Sequence, residues 1–155
     1  SNITIACAKR KIKMIYFSTQ YVYPGISGNY KETDFLFPVN NYGWSKLGGE
    51  SAVQMYKNSL ILRICMTEKP FIHKKAFGDV KTNFIFHDEV VPILKKLLSK
   101  KGIINLGGPV KTVYNFATHN NSKVRKISAK KTQKGKFPLN PSMNLKKLNK
   151  ILKND

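Results

Sequence analysis

The chain has 155 residues, 41% of them hydrophobic, and sets 28 basic against 8 acidic side chains for a formal net charge of +20. That length suits one domain with a real core, and the apolar fraction excludes disorder by composition. No apolar run approaches the ~20 residues of a membrane span, and residues 1–10 lack the pattern of a signal peptide.

The charge admits nucleic acid, an anionic membrane surface or an anionic small molecule as partner. The basic residues, however, are 25 lysines and 3 arginines, Arg10, Arg63 and Arg125. Readers of bases and phosphates favour arginine forks. A lysine surplus spread along the chain reads as solvated faces, so neither nucleic acid nor a membrane is expected as partner. Cys7 and Cys65 stand far apart in apolar settings with no metal-ligand spacing, so both read as buried free thiols in a reducing, cytoplasmic compartment, and no metal site is expected. The chain opens on Ser1 within a helical pattern, which gives the expectation of a fragment or processed product.

Residues 2–10 read as the end of an amphipathic helix. Residues 11–19, KIKMIYFST, read as a buried strand ending in small polar residues. Residues 24–41 carry Pro24, Gly25, Gly28 and Pro38 and read as a long loop. A helix is expected over 42–57 and a strand over 59–66. Residues 67–83 look irregular and polar. From residue 88 a helix starts on acidic and ends on basic residues, as its dipole favours. A short strand follows at 103–108, a short helix at 112–120, a basic connector at 122–136, and an amphipathic helix at 140–153. Alternating strands and helices argue for an α/β fold with a mostly parallel sheet. Sites in such folds lie at the carboxyl ends of the strands. Ser18 and Thr19 fall at one such end.

The stretch NNYGWSKLGGE, residues 40–50, sets Tyr42 and Lys46 one helical turn apart on one face. A tyrosine is a poor acid at neutral pH, and a neighbouring ammonium favours its phenolate. Such a pair can pass a proton to or from a carbonyl or alcohol oxygen. A hydroxyl from Thr19 or Ser18 can hold the same oxygen. Trp44 reads as a packing residue. His73, His87 and His119 are isolated in sequence and read as non-catalytic. Asp88 and Glu89 begin a helix and read as structural.

The segments YFSTQYVYPG, PVNNYGWSKLGGE, LILRICM, FIFHDEVVPIL, INLGGPVKTVYNFA and PLNPSMNLKKL together resemble the extended short-chain dehydrogenase/reductases, closest to the dTDP-4-dehydrorhamnose reductase (RmlD-like) group. The resemblance runs in the family's order over nearly the whole chain. It implies a partial Rossmann-type parallel sheet lacking the N-terminal glycine-rich βαβ half, with a small C-terminal substrate-binding part. Residues 1–66 would be the end of the Rossmann domain and residues 67–155 the substrate-binding part, the two interleaved as one domain. The implied activity is NAD(P)H-dependent reduction of a nucleotide-linked 4-keto-6-deoxy sugar, inactive in this chain by itself. The alternatives are a non-catalytic regulatory or interaction module of the same fold, or a nucleotide-sugar epimerase.

Carried over by residue, Tyr42 is the proton donor, Lys46 binds the nicotinamide ribose and tunes Tyr42, and Thr19 holds the reacting oxygen. Phe17, with Tyr42 and Lys46, borders the cofactor. Gln20 and Met66, with Thr19, stand near the sugar. Gln20 replaces the acidic residue of many members, and Met66 falls where tryptophan is frequent. The cofactor would be NADPH or NADH. The family's glycine-rich turn after a first strand has no match in these residues, since Gly48-Gly49 does not follow a strand. Weak cofactor binding by this chain alone is therefore expected. So is association with itself or a partner through an exposed sheet edge.

Overall fold

The computed structural model describes residues 1–120, 123–133 and 137–153. Helix α1 (Asn2–Lys9) leads into strand β1 (Met14–Thr19), a 3-10 turn (Gln20–Val22), a loop, helix α2 (Asn41–Gln54) and strand β2 (Ser59–Ile64). Four short strands follow: β3 (Met66–Thr67), β4 (Lys75–Phe77), β5 (Lys81–Thr82) and β6 (Ile85–Phe86). Then come α3 (His87–Leu97), β7 (Gly102–Leu106), β8 (Lys111–Thr112), α4 (Val113–Asn120), β9 (Arg125–Ile127), α5 (Ala129–Gln133) and α6 (Lys146–Lys153).

Strands β1, β2 and β7 form one parallel sheet in the order β1-β2-β7, with Met14 beside Ser59 and Leu60 beside Gly102. The expected α/β fold with a parallel sheet is thus present. Every residue of β2 is buried, as a central parallel strand covered on both faces requires. Ile15 and Phe17 of β1, Ile93 and Leu94 of α3, and Ile151 and Leu152 of α6 all pack against one buried cluster that includes Leu60, Leu62 and Ile104, so α3 and α6 cover one face. Tyr16 points to the other face, where its hydroxyl donates to the Lys46 carbonyl on α2 at 3.2 Å. A second core, from Phe71 through Phe116 to Ala129, draws wholly on residues beyond 66. No helix among the described residues is long and apolar enough to cross a membrane.

Several element bounds differ from expectation for local reasons. Strand β1 starts at Met14 because Lys11 sits in the left-handed region at φ 56° and ends the preceding turn. Helix α2 spans 41–54, not 42–57, and Asn40 caps it, its Oδ1 accepting from the Gly43 N–H at 2.9 Å. The expected strand over 59–66 is interrupted at Cys65, and β3 leaves the main sheet to pair with β6. Residues 67–83 are not irregular throughout: β4 pairs with β9 and β5 with β8. The basic connector likewise holds β9 and α5. Asp79 anchors it, accepting from Ser128 Oγ at 2.6 Å and the Ala129 N–H at 2.7 Å, while residues 122 and 134–136 of that stretch lie outside the described residues. The last helix begins at Lys146. Residues 140–145 are not helical, with Met143 bridged to Tyr30 and Pro141 lacking the N–H a helix would use.

Candidate functional site

The carboxyl ends of β1 and β2 meet the first turn of α2 around one cavity of about 360 Å³. Phe17, Thr19, Gln20, Tyr42, Lys46 and Met66 all line it. Residues far apart in sequence converge here because α2 approaches the chain closely just after β1. A Cβ on Gly43 would collide with the carbonyl of Tyr21, so a glycine beside Tyr42 permits the approach. Tyr21 and Tyr42 then meet edge to face at 6.2 Å between ring centroids, a favoured aromatic geometry.

Tyr42 is 55% exposed and opens to solvent. Burial pushes the Tyr21 phenol far above the ordinary tyrosine value, with Cys65 and Tyr42 adding to the rise. Of these two adjoining phenols, Tyr21 is therefore a neutral packing group. Lys46 places its ammonium 4.5 Å from the centroid of the Tyr16 ring, a cation–π contact. Burial likewise pushes Tyr16 up, with Glu50 and Tyr42 adding to the rise, so the ring under Lys46 stays uncharged. A Cβ on Gly49 would strike the Tyr16 hydroxyl, so that glycine makes room for the ring.

Thr19 Oγ1 accepts from the Tyr21 N–H at 3.2 Å, which leaves its own proton available to the cavity. Gln20 is fully buried beneath, its Nε2 donating to Thr82 Oγ1 at 2.7 Å and to Cys65 Sγ at 3.0 Å. Ser18 borders the cavity too. Its Oγ is the one buried side-chain oxygen or nitrogen without a hydrogen-bond partner among the described residues. Sequence reasoning missed Tyr21, Phe84 and His87 as lining residues. Only topology brings them there. His73 and His119 lie at other pockets, so the three histidines are apart in space as in sequence.

A larger, mostly apolar cleft of about 590 Å³, with five Phe and Tyr side chains in its lining, adjoins the first and shares Tyr21, Met66 and Phe84 with it. Lys74 and Lys75 stand at its rim. Gly107 and Gly108, which follow β7, press against the Asn83 and Phe84 carbonyls, where a Cβ would lie 2.5 Å from either oxygen. They serve close packing. At the start of α3 the Glu89 carboxylate accepts from the Phe86 N–H at 2.9 Å, a structural cap. Trp44 packs edge-on against Phe37 at 5.9 Å. Among the described residues no cluster of His, Cys, Asp and Glu is placed to hold a metal.

Burial pushes the Cys65 thiol up to about 12, a rise that the Thr82 hydrogen bond only partly offsets. At pH 8 only about one molecule in 10⁴ carries that thiolate. Iodoacetamide at pH 8 is therefore expected to modify half-buried Cys7 and to spare Cys65 until the chain unfolds. Peptide mass mapping checks this. Early labelling of Cys65 would mean that the cavity floor opens.

A parallel sheet with helices on both faces is a Rossmann-type arrangement. Residues 1–77 match the RmlD substrate binding domain family. The chain is an RmlD-like member of that family.

A probable low-salt glycan biosynthesis reductase of Haloferax volcanii is 42% identical over 65 residues, covering 41% of this chain and 22% of the relative. The dTDP-4-dehydrorhamnose reductase of Aggregatibacter actinomycetemcomitans is 35% identical over 82 residues, 52% of this chain and 25% of the relative. The methionine adenosyltransferase 2 subunit beta of Xenopus laevis is 42% identical over 52 residues, 33% of this chain and 16% of the relative. The solved dTDP-4-dehydrorhamnose reductase of Bacillus anthracis, in complex with NADP, superposes with a TM-score of 0.82 at 19% identity. That superposition covers 96% of this chain and 62% of the solved one, and it shows the fold. The matched segments thus span no more than a quarter of these curated relatives and about three-fifths of the solved chain.

Proposed function

We propose that the cavity formed by Thr19, Tyr42 and Lys46 reduces the 4-keto group of a nucleotide-linked 6-deoxy sugar, with NADPH or NADH as reductant. The carrying observation is that a solvent-open phenol, an ammonium and a free hydroxyl proton line one cavity at the strand ends. A bound nicotinamide cofactor would supply the hydride that the ketone carbon accepts. Tyr42 gives its proton to the ketone oxygen, completing the alcohol, and is reprotonated from solvent. Lys46 lends positive charge to the phenolate left behind and offers a donor to the nicotinamide ribose. Thr19 donates to the same oxygen and orients it, while Phe17 borders the nicotinamide side. Gln20 and Met66 shape the sugar side, and the neighbouring aromatic cleft takes the nucleotide.

On this reading residues 1–66 carry proton transfer and residues 67–155 the substrate side. The residues present fit the nicotinamide end of the cofactor. Ser18 keeps a buried oxygen without a partner beside that cavity, and Lys46 stands over it. Among the described residues neither glycine pair forms a cradle for the pyrophosphate, because Gly48-Gly49 lies inside α2 and Gly107-Gly108 lies against backbone carbonyls. The 155 residues alone are therefore expected to hold the cofactor weakly. Two free cysteines support a reducing, cytoplasmic setting. The open edge of β1 supports association through that strand.

The test is NADPH oxidation in the presence of dTDP-4-dehydrorhamnose by the product of the natural reading frame, expressed from its own start codon. Turnover supports the reading. Binding of both ligands without turnover overturns it and favours a second reading, a non-catalytic module. That second reading is supported by the similarity to a methionine adenosyltransferase subunit.

A further inference from the structure

At the amino ends of the parallel strands, opposite the cavity, the fold gathers lysines that the sequence spreads along the chain. The register sets residues 11–13, 57–58 and 100–101 side by side, because Met14 aligns with Ser59 and Leu60 with Gly102. Adjacent strands lie about 4.8 Å apart, so the three connections span roughly 10 Å. Lys13 Nζ donates to the Lys100 carbonyl at 2.6 Å, tying the first connection to the third across β2. Burial and the charge of Lys101 hold the Lys13 ammonium below the ordinary lysine value. Lys147 of α6 reaches the Ile103 carbonyl at 2.6 Å and extends the positive face onto that helix. Lys9, Lys11, Lys57, Lys101 and Lys147 are exposed around this end.

No described carboxylate stands among them. Glu50 is consumed by Arg63, and Glu32 is bound to the Asn105 N–H toward the carboxyl end of β7. Asp79 caps α5, Asp34 accepts from the Lys31 N–H in the loop before α2, and Glu68, Asp88 and Glu89 lie beside β3 and the start of α3. A single-sign field of this kind attracts a polyanion, and lysines act as point charges on phosphates without reading bases.

We propose that the amino end of the sheet is a docking surface for the phosphate backbone of nucleic acid, bound without regard to sequence. With about five lysines engaged, the logarithm of the binding constant should fall with the logarithm of salt at a slope of roughly −4 to −5. Affinity should then drop by a few hundredfold between about 50 and 200 mM salt.

The experiment is fluorescence anisotropy of a random-sequence DNA duplex of about 20 base pairs titrated with the full chain over that salt range. The variant Lys57→Gln/Lys101→Gln should bind more weakly, with the slope reduced by roughly 2, since each lost phosphate contact removes about 0.9. The charge-matched variant Lys130→Gln/Lys131→Gln on α5 should leave the slope unchanged. Circular dichroism confirms that both variants keep the fold. Equal losses in both variants would overturn the proposal, because net charge alone would then explain binding. A flat salt dependence would overturn it, as would capture by anionic phosphatidylserine vesicles with no binding of the duplex. None of these outcomes bears on reduction at the Tyr42 cavity, which lies at the other end of the strands.

Discussion

Glu50→Ala is expected to destabilise the chain by about 3–5 kcal/mol, the cost of leaving one partner of a buried ion pair uncompensated. Glu50 is 0% and Arg63 1% exposed. Arg63 Nη2 meets Glu50 Oε2 at 2.7 Å, and its Nε donates to Oε1 at 3.0 Å. The other arm donates to the Tyr23 hydroxyl at 2.9 Å and the Glu32 carbonyl at 3.0 Å. Tyr23 in turn donates to Asn105 Oδ1 at 2.8 Å and stacks on Tyr30 at 4.8 Å. One guanidinium thus ties α2, β2 and the loop before α2 and, through Tyr23, β7.

Burial alone would lower the Arg63 pKa, but the Glu50 hydrogen bonds and the Tyr23 contact outweigh it and raise it, so the group stays charged. Domains of this size are stable by about 5–15 kcal/mol in all, so the substitution removes much of the margin. Urea unfolding checks this. A loss below about 1 kcal/mol would show that Arg63 escapes to water when its partner is removed. The double change Glu50→Gln/Arg63→Met should cost less than Glu50→Ala, because no buried charge is stranded.

Tyr42→Phe is expected to lower kcat/KM for the proposed sugar reduction by about 10²–10⁴-fold while leaving the fold intact, since it removes only a solvent-facing hydroxyl, the proposed proton donor. The assay is the one that tests the proposed reaction, with NADPH oxidation followed at saturating cofactor. The loss should fall on kcat, because the proton moves in the transition state and contributes little to ground-state binding. Unchanged kcat in Tyr42→Phe would remove Tyr42 from the chemistry. The neighbouring Tyr21→Phe is the control, since burial keeps that phenol neutral and its ring serves packing. It should retain most of the activity.

The main sheet was legible because its signals are local. The run SLILRI carries four branched aliphatic residues and is buried along its whole length, as a strand covered on both faces must be, and α2 carries a capping residue at Asn40. The short pairings β3–β6, β4–β9 and β5–β8 were not legible. Two or three residues carry no periodicity, and β4 finds its partner about 50 residues away. The end of the chain misled for a similar reason. Leu145, Leu148, Ile151 and Leu152 show a helical face, but Met143 just upstream belongs to a bridge with Tyr30. At the candidate site, Tyr42, Lys46 and Thr19 were visible as types at a spacing. Tyr21, Phe84 and His87 were not, because their place at the cavity depends on how β6 and the 3-10 turn are folded back.

Tyr16 holds Lys46 twice, its hydroxyl bonded to the carbonyl of that residue and its ring beneath the ammonium. The helix turn and the charge it carries are therefore steered by a single neutral side chain. The electrostatics of this cavity can be retuned at a position that bears no charge and does not border the cavity, so Tyr16 gives a way to shift the proposed proton transfer without altering any group that would touch the sugar.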